Sequence, residues 1–364
     1  MASADCALLQ RLCETVSVSG YEDAMISLFS DELRKRGLDP RVDKLGNVVA
    51  AQTPAQPVGP HILLWAHMDQ VGFIVTQVLD TGFLRVARVG GVSRRFGVGT
   101  EIVVPTPGGL VPGVMGIKSH HLATPEEEYQ IPPMSDWYVD IGARNSEEAA
   151  ALGAEVGRVV AFAPRFRKLG GARVSSPSLD NRLGCYLLLE VAGELAKRTT
   201  GCPVTLVGSV LEEFNLRGLV PAARAAAPEL ALGIDVTPAC DPPDLAGRGS
   251  LALGRGPAVK VMDFHGRGTV DGVMAAPAVV AALEASARRR GLHIQKEVVL
   301  GVLTEGSRIS SLLEGLPLGG ISIPLRYTHT PVETADLADV TAGIELALAF
   351  IEDAAAGLHL RRGL

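Results

Sequence analysis

Residues 61–69 read HILLWAHMD, an apolar run closed by a histidine, a methionine and an aspartate. A half-exposed strand alternates apolar with polar side chains, whereas the unbroken stretch to Ala66 predicts a strand covered on both faces. Working outward, Val204–Leu211, Leu230–Val236 and Gly320–Ile323 have the same texture. They alternate with helical stretches at 217–227, 276–290 and 340–355, and with one from about Asn181 whose Leu183, Leu187, Val191 and Leu195 share a face. Buried strands alternating with helices predict an α/β fold, a mixed, mostly parallel sheet flanked by helices on both faces.

Before the first of these strands, Ser19-Gly20-Tyr21-Glu22 has the S-x-x-E spacing of a capping box. Met25, Leu28, Phe29 and Leu33 follow at helical spacing, so a helix is expected to about Lys35, and Asp43 to Asn47 reads as a turn between two short strands. From 71 to 164 the texture changes to short β-type runs (Phe83–Val89, Glu101–Val104, Gly113–Ile117, Arg158–Phe162) broken by Gly and Pro. This predicts a small, barrel-like β domain at 71–164 inserted into a discontinuous α/β domain formed by 1–70 and 165–364.

With 34 basic and 40 acidic residues in 364 and no long basic run, the chain offers no footprint for a nucleic-acid backbone. No window reaches about eighteen apolar residues and the N-terminus lacks the pattern of a secretory leader, so no membrane association and a cytoplasmic location are expected. Cys6, Cys13, Cys185, Cys202 and Cys240 are odd in number and form no C-x-x-C pair, which reads as reduced thiols.

The polar residues that interrupt the apolar runs fall at carboxyl ends. His67 and Asp69 close one strand, Glu212 and Glu213 a second and Asp235 a third, while His329 follows a fourth. Asp180, in SPSLDNRLG at a helix start, is a further candidate. Ligands of open α/β sheets collect outside those ends. Alone, each aspartate would be a turn former and each glutamate a solvated acid of a first helical turn. Together, two imidazoles and several carboxylates are what one or two zinc-like ions require. Glu212 and Glu213 are adjacent, and in a period-two strand adjacent side chains point to opposite sides, so the two would have separate tasks.

These residues carry a family resemblance. His67-Met68-Asp69 with Gly72-Phe73, Gly116-Ile117-Lys118, Asp140 to Ala143, Asp180-Asn181-Arg182 with Gly184, Glu212-Glu213 with Leu216 to Gly218, Asp235, and Arg326-Tyr327 with His329 resemble the tetrahedral aminopeptidases, dinuclear zinc exopeptidases of the cytosol. The resemblance runs from Ser19 to Glu333. It implies that Asp180 bridges two divalent ions, zinc or alternatively cobalt, that His67 and Asp235 hold one, and that Glu213 and His329 hold the other. It further implies that Asp69 orients His67, and that Glu212 is the general base that later protonates the leaving amine. Substrates would be short peptides with a free N-terminus. The inserted domain would mediate dimerisation, and dimers would build a tetrahedral dodecamer.

The chain departs from the family pattern at Gln70, where glutamate is usual, at Phe214-Asn215, and at Val302-Leu303-Thr304-Glu305-Gly306. None of these removes a proposed ligand, but the altered pocket segments around Phe214 and Glu305 motivate an alternative, a metal-dependent deacylase of a small N-acyl substrate. A catalytically weak assembly protein is the third reading. His121 matches a family histidine and His120 does not; His61, His265, His293 and His359 are weaker candidates. Arg308 could face a substrate carboxylate or a helix-surface acid, the surface acid being preferred, and Cys185 reads as packing.

Overall fold

A computed structural model of the chain describes residues 6–198, 200–266, 268–358 and 360. Its centre is a twelve-stranded mixed sheet. Four strands, Val204–Ser209, Ile62–His67, Leu230–Pro238 and Leu318–Arg326, lie side by side and parallel. Antiparallel neighbours flank them, Val48–Gln52 on one side and Ala258–Phe264 and Thr334–Asp336 on the other.

Every residue of Ile62–His67 is buried, and the alternation of the strand divides it between two cores. Ile62, Leu64 and Ala66 join the larger core beneath the helices Leu179–Leu195 and Leu337–Ala354, while Leu63 and Trp65 join a second core under Leu219–Ala226. The unbroken apolar run is therefore the signature of a strand between two helical layers. In the parallel register His67 stands opposite Ser209, and Asp235 opposite Ser322, so the polar residues emerge along one edge of the sheet.

Between the strand ending at His67 and the helix starting at Leu179, the chain forms a closed six-stranded barrel whose neighbouring strands are all antiparallel. Phe73 anchors its interior, with ring centres 6.1 Å from Trp137 and 5.9 Å from Phe162. Gly97 lies flat against Trp137, where a β-carbon would come within 1.8 Å of the indole.

Four local expectations are corrected. The capping box does not form. The helix is Asp23–Lys35, Ser19 Oγ donates to Asp69 Oδ2 at 2.5 Å, and Glu22 Oε1 accepts from the N–H groups of Gly20 and Leu211. A tertiary partner has taken Ser19, and Glu22 is shared between the neighbouring Gly20 and the distant Leu211.

Glu212 and Glu213 are not strand residues either. The strand stops at Ser209, Leu211 turns at φ 61°, and the pair opens a short helical turn, Glu212–Asn215. They diverge by the rotation of a helix, about 100° per residue, and not by the pleat of a strand. The third correction concerns Asp235, whose strand continues to Pro238. Finally, Ala258–Phe264 and Gln295–Leu300 are strands that the sequence reading passed over. Among the described residues, no helix is long and apolar enough to cross a membrane.

Candidate metal centre

Asp180 is the hub of the polar cluster. It lies one residue into Leu179–Leu195, has non-helical dihedrals and is followed by a cis peptide. Its Oδ1 is 3.1 Å from His67 Nε2 and its Oδ2 is 3.4 Å from His329 Nε2, so one carboxylate spans two imidazoles. His67 Nε2 is also 3.8 Å from Asp235 Oδ1, and His329 Nε2 is 3.2 Å from Glu213 Oε1. Two donor triplets result, His67–Asp180–Asp235 and Asp180–Glu213–His329, each with its donor atoms within 4.8 Å of one another. A third compact triplet, His67–Glu212–Glu213, shares His67 and Glu213 with these and adds Glu212.

Asp69 binds the cluster together from behind. His67 Nδ1 faces it, 3.2 Å from its carbonyl oxygen and 3.4 Å from Oδ1. The same carboxylate accepts the N–H of Glu212 at 3.1 Å and that of Glu213 at 2.9 Å. These are orphan donors at the start of a helical turn, where a carboxylate satisfies them and meets the positive end of the peptide dipoles. One buried aspartate thus sets the ring of His67 and the turn that carries both glutamates.

The electrostatics are those of crowded carboxylates. Burial raises Asp235 to about 7, with His67 opposing the rise and Asp180 adding to it. Burial likewise lifts Glu212 well above the ordinary carboxylate range, and Glu213, Asp235 and Glu305 reinforce the effect against His67. Burial alone would lower both imidazoles, yet Glu212, Asp180 and Asp69 hold His67 well above its usual value, and Glu213 and Asp180 do the same for His329. Asp180 itself is held low by these two histidines despite its burial. A divalent cation would take the place of the protons on such a cluster, and imidazole nitrogen with carboxylate oxygen is the donor chemistry suited to a zinc-like ion.

Two supporting acids stand behind the cluster, one that the sequence reading missed and one that it placed in the pocket. Glu333 Oε1 accepts the N–H of His329 at 2.7 Å and Oε2 that of Asp180 at 3.0 Å, and burial together with the charge of Asp180 raises it to about 8. Its only sequence signal is a glutamate four residues after His329. Glu305, read as a pocket residue, lies behind the pocket instead. It accepts from Ser209 Oγ at 2.6 Å and from the N–H of Leu219 at 3.2 Å, and burial raises it to about 8.

A cavity of about 640 Å³ opens over the cluster, walled by Phe214, Val302, Leu303, Thr304, His265 and Arg308. Arg308 lines this cavity, and its Nη1 also makes the expected pairing with an acid, the partly exposed Asp271, at 2.8 Å. The barrel also reaches the cluster. His329 Nδ1 lies 3.1 Å from the carbonyl oxygen of Gly91, and a β-carbon on Gly91 would stand 2.8 Å from that nitrogen.

The remaining candidates lie elsewhere. His120 and His121 stack at 4.1 Å on an exposed turn, His61 meets Thr205 Oγ1 at the far end of its strand, and His293 is exposed. His359 falls outside the described residues. The buried Cys185 thiol donates to the carbonyl of His67 and is pushed up to about 11 by burial, which suits packing. Gln70 Oε1 accepts from Arg182 Nη2 at 3.0 Å, so this departure lies outside the donor triplets.

Residues 46–346 match the M42 glutamyl aminopeptidase family. The chain is 39% identical over 330 residues to the protein SgcX of Escherichia coli strain K12, covering 91% of this chain and 88% of that one. It is 33% identical over 356 residues to the lysyl aminopeptidase of Pyrococcus furiosus, covering 96% and 97%. Among solved structures, the Pyrococcus horikoshii TET1 peptidase, which can assemble into a tetrahedron or a large octahedral shell, matches with a TM-score of 0.83 at 29% identity, covering 95% of this chain and 98% of that one.

Proposed function

This chain belongs to the M42 glutamyl aminopeptidase family and is a metal-dependent aminopeptidase, and on that premise we propose how its residues divide the reaction. His67, Asp180 and Asp235 hold one divalent ion, and Asp180, Glu213 and His329 hold a second. The observation that carries this assignment is the carboxylate of Asp180, which presents one oxygen to each imidazole. Zinc suits the donors, with cobalt as the alternative. When bound, the ions supply Lewis acidity to the scissile carbonyl and to the attacking water.

Glu212 moves the proton. Its carboxylate stands beside the ligands without being needed by either of the two triplets that Asp180 joins. Its raised proton affinity brings it toward the range in which one group can both accept and return a proton. It takes a proton from the water and delivers it to the departing amine. Asp69 holds the Nδ1 side of His67 and the backbone of Glu212, so it positions both a ligand and the base.

The substrates are short peptides with a free N-terminus, whose ammonium is attracted to the acidic floor of the cavity. Glu305 bonds Ser209 and Leu219, so of the 302–306 departure it is Val302, Leu303 and Thr304 that face the cavity, and with Phe214 they keep a deacylase as the alternative reading.

Residues 1–70 and 165–364 form the catalytic domain in this proposal, and 71–164 the dimerisation domain of a cytoplasmic homo-oligomer that builds a dodecamer. The tetrahedral assembly of the TET1 peptidase and the exposed Ile117, Leu122 and Tyr129 of the barrel region support that part. Light scattering and cell fractionation test it.

For the chemistry, metal-stripped protein reloaded with zinc or cobalt should release the first residue from a panel of aminoacyl chromogenic amides. No release from any amide, or faster cleavage of acylated amino acids than of free-amine substrates, would sink the assignment.

A further inference from the structure

Behind the site lies a second charged cluster that the reaction does not use. Lys260, on Ala258–Phe264, is 4% exposed, and its Nζ lies 2.6 Å from Asp263 Oδ2, 3.2 Å from Glu297 Oε1 and 3.4 Å from Thr304 Oγ1. Thr304 Oγ1 in turn donates to Asp263 Oδ2 at 2.8 Å. Burying an ammonium with two carboxylates gains little stability over apolar packing, so the cluster calls for another explanation.

Its position supplies one. The neighbouring strand has Gly320 where a β-carbon would lie 3.0 Å from the Lys260 stem, so the lysine crosses that strand toward the one carrying Asp235. Lys260, Asp235, Thr304 and Trp65 line one internal cavity of about 10 Å³, roughly the room of a single water. Thr304 also walls the substrate cavity. A buried positive charge and a proposed ligand therefore line the same small cavity and interact electrostatically, and the lysine is bonded to a wall of the pocket.

We propose that Lys260 is a positioning residue, which sets the carboxylate of Asp235 from behind the sheet and pins the Thr304 wall of the substrate cavity. The inference rests on the reading of Asp235 as a metal ligand. Lys260→Met keeps the volume and removes the charge. Calorimetric titration of the metal-free protein with zinc chloride should show two sites in the wild type and a 10- to 100-fold weaker one of the two in the variant, the scale usual for partners of metal ligands. Thr304→Val should raise KM for an aminoacyl amide severalfold at nearly constant kcat, and Thr304→Ser should restore it.

A Lys260→Met protein that melts lower but binds both zinc ions within twofold of wild type overturns the inference and leaves a merely structural lysine. Should that variant not fold, an unchanged KM in Thr304→Val overturns it instead. A wild type that takes up no zinc overturns the ligand assignment itself, and this inference with it.

Discussion

Two parts of the molecule treat polar groups in opposite ways. The barrel seals Phe73, Trp137 and Phe162 inside closed, mutually paired strands, and among the described residues no polar or charged side chain between 71 and 174 is buried. At the carboxyl edge of the main sheet, His67, Asp69, Asp180, Glu212, Glu305 and Glu333 are all buried within one neighbourhood. Taking so many ionisable groups out of water costs stability, which the apolar layers around Ile62–His67 must offset. The barrel is organised for folding, while the sheet edge spends stability to hold a reactive arrangement.

That contrast can be broken by substitution. The largest effect should come from Glu212→Gln, which removes the proposed proton carrier and leaves the proposed ligands. Steady-state kinetics should show kcat/KM lower by on the order of 10³-fold, about 4 kcal/mol, while zinc binding persists. A variant as fast as wild type would assign the proton transfer elsewhere. Phe73→Ala should do the reverse, with a loss of roughly 3 kcal/mol or more in urea denaturation and zinc affinity close to wild type. If it disturbs metal binding as strongly as stability, the two regions are not separable.

Asp69→Asn tests the cluster's support. It keeps the shape and weakens both the His67 contact and the cap on the Glu212 turn, and metal affinity should fall roughly 10- to 100-fold by calorimetry. Acidification should act on the same property. Asp235 lies near 7 and both imidazoles are raised, so below neutrality each ion must displace protons to bind. Zinc affinity should therefore fall by about tenfold or more for each pH unit below 7, and a flatter profile in a pH series of titrations would contradict it.

The smallest effect belongs to the junction of the two regions. Gly91→Ala places a methyl group against His329, and a severalfold weaker affinity for zinc is expected, because overpacking by one carbon costs about 1 kcal/mol or more.

The sheet was legible because an apolar run such as Ile62–Ala66 has few other uses. The convergence of His67, Asp180, Glu213, Asp235 and His329 was legible because strand ends in such a sheet share one edge, and the family pattern added the division of roles. What stayed hidden was mostly support from a distance. Nothing near Asp69 in the sequence says that it will accept the N–H groups of Glu212 and Glu213, and nothing near Ser19 says that it will donate to Asp69. A spacing rule for helix starts sees only neighbours, so it assigned Ser19 and Glu22 to a cap. Lys260 lies on Ala258–Phe264, a strand the sequence reading passed over, and its partners come from as far away as 297 and 304.

The placement of Asp180 has a consequence for the synthesis of the chain. The two imidazoles it joins lie at residues 67 and 329, so the donor set opens early in translation and closes late. At ~5–20 residues per second, roughly tens of seconds separate them on the ribosome. Through that interval a growing chain can contain His67, Asp180, Glu213 and Asp235, but the Asp180–Glu213–His329 triplet is incomplete until His329 has been made.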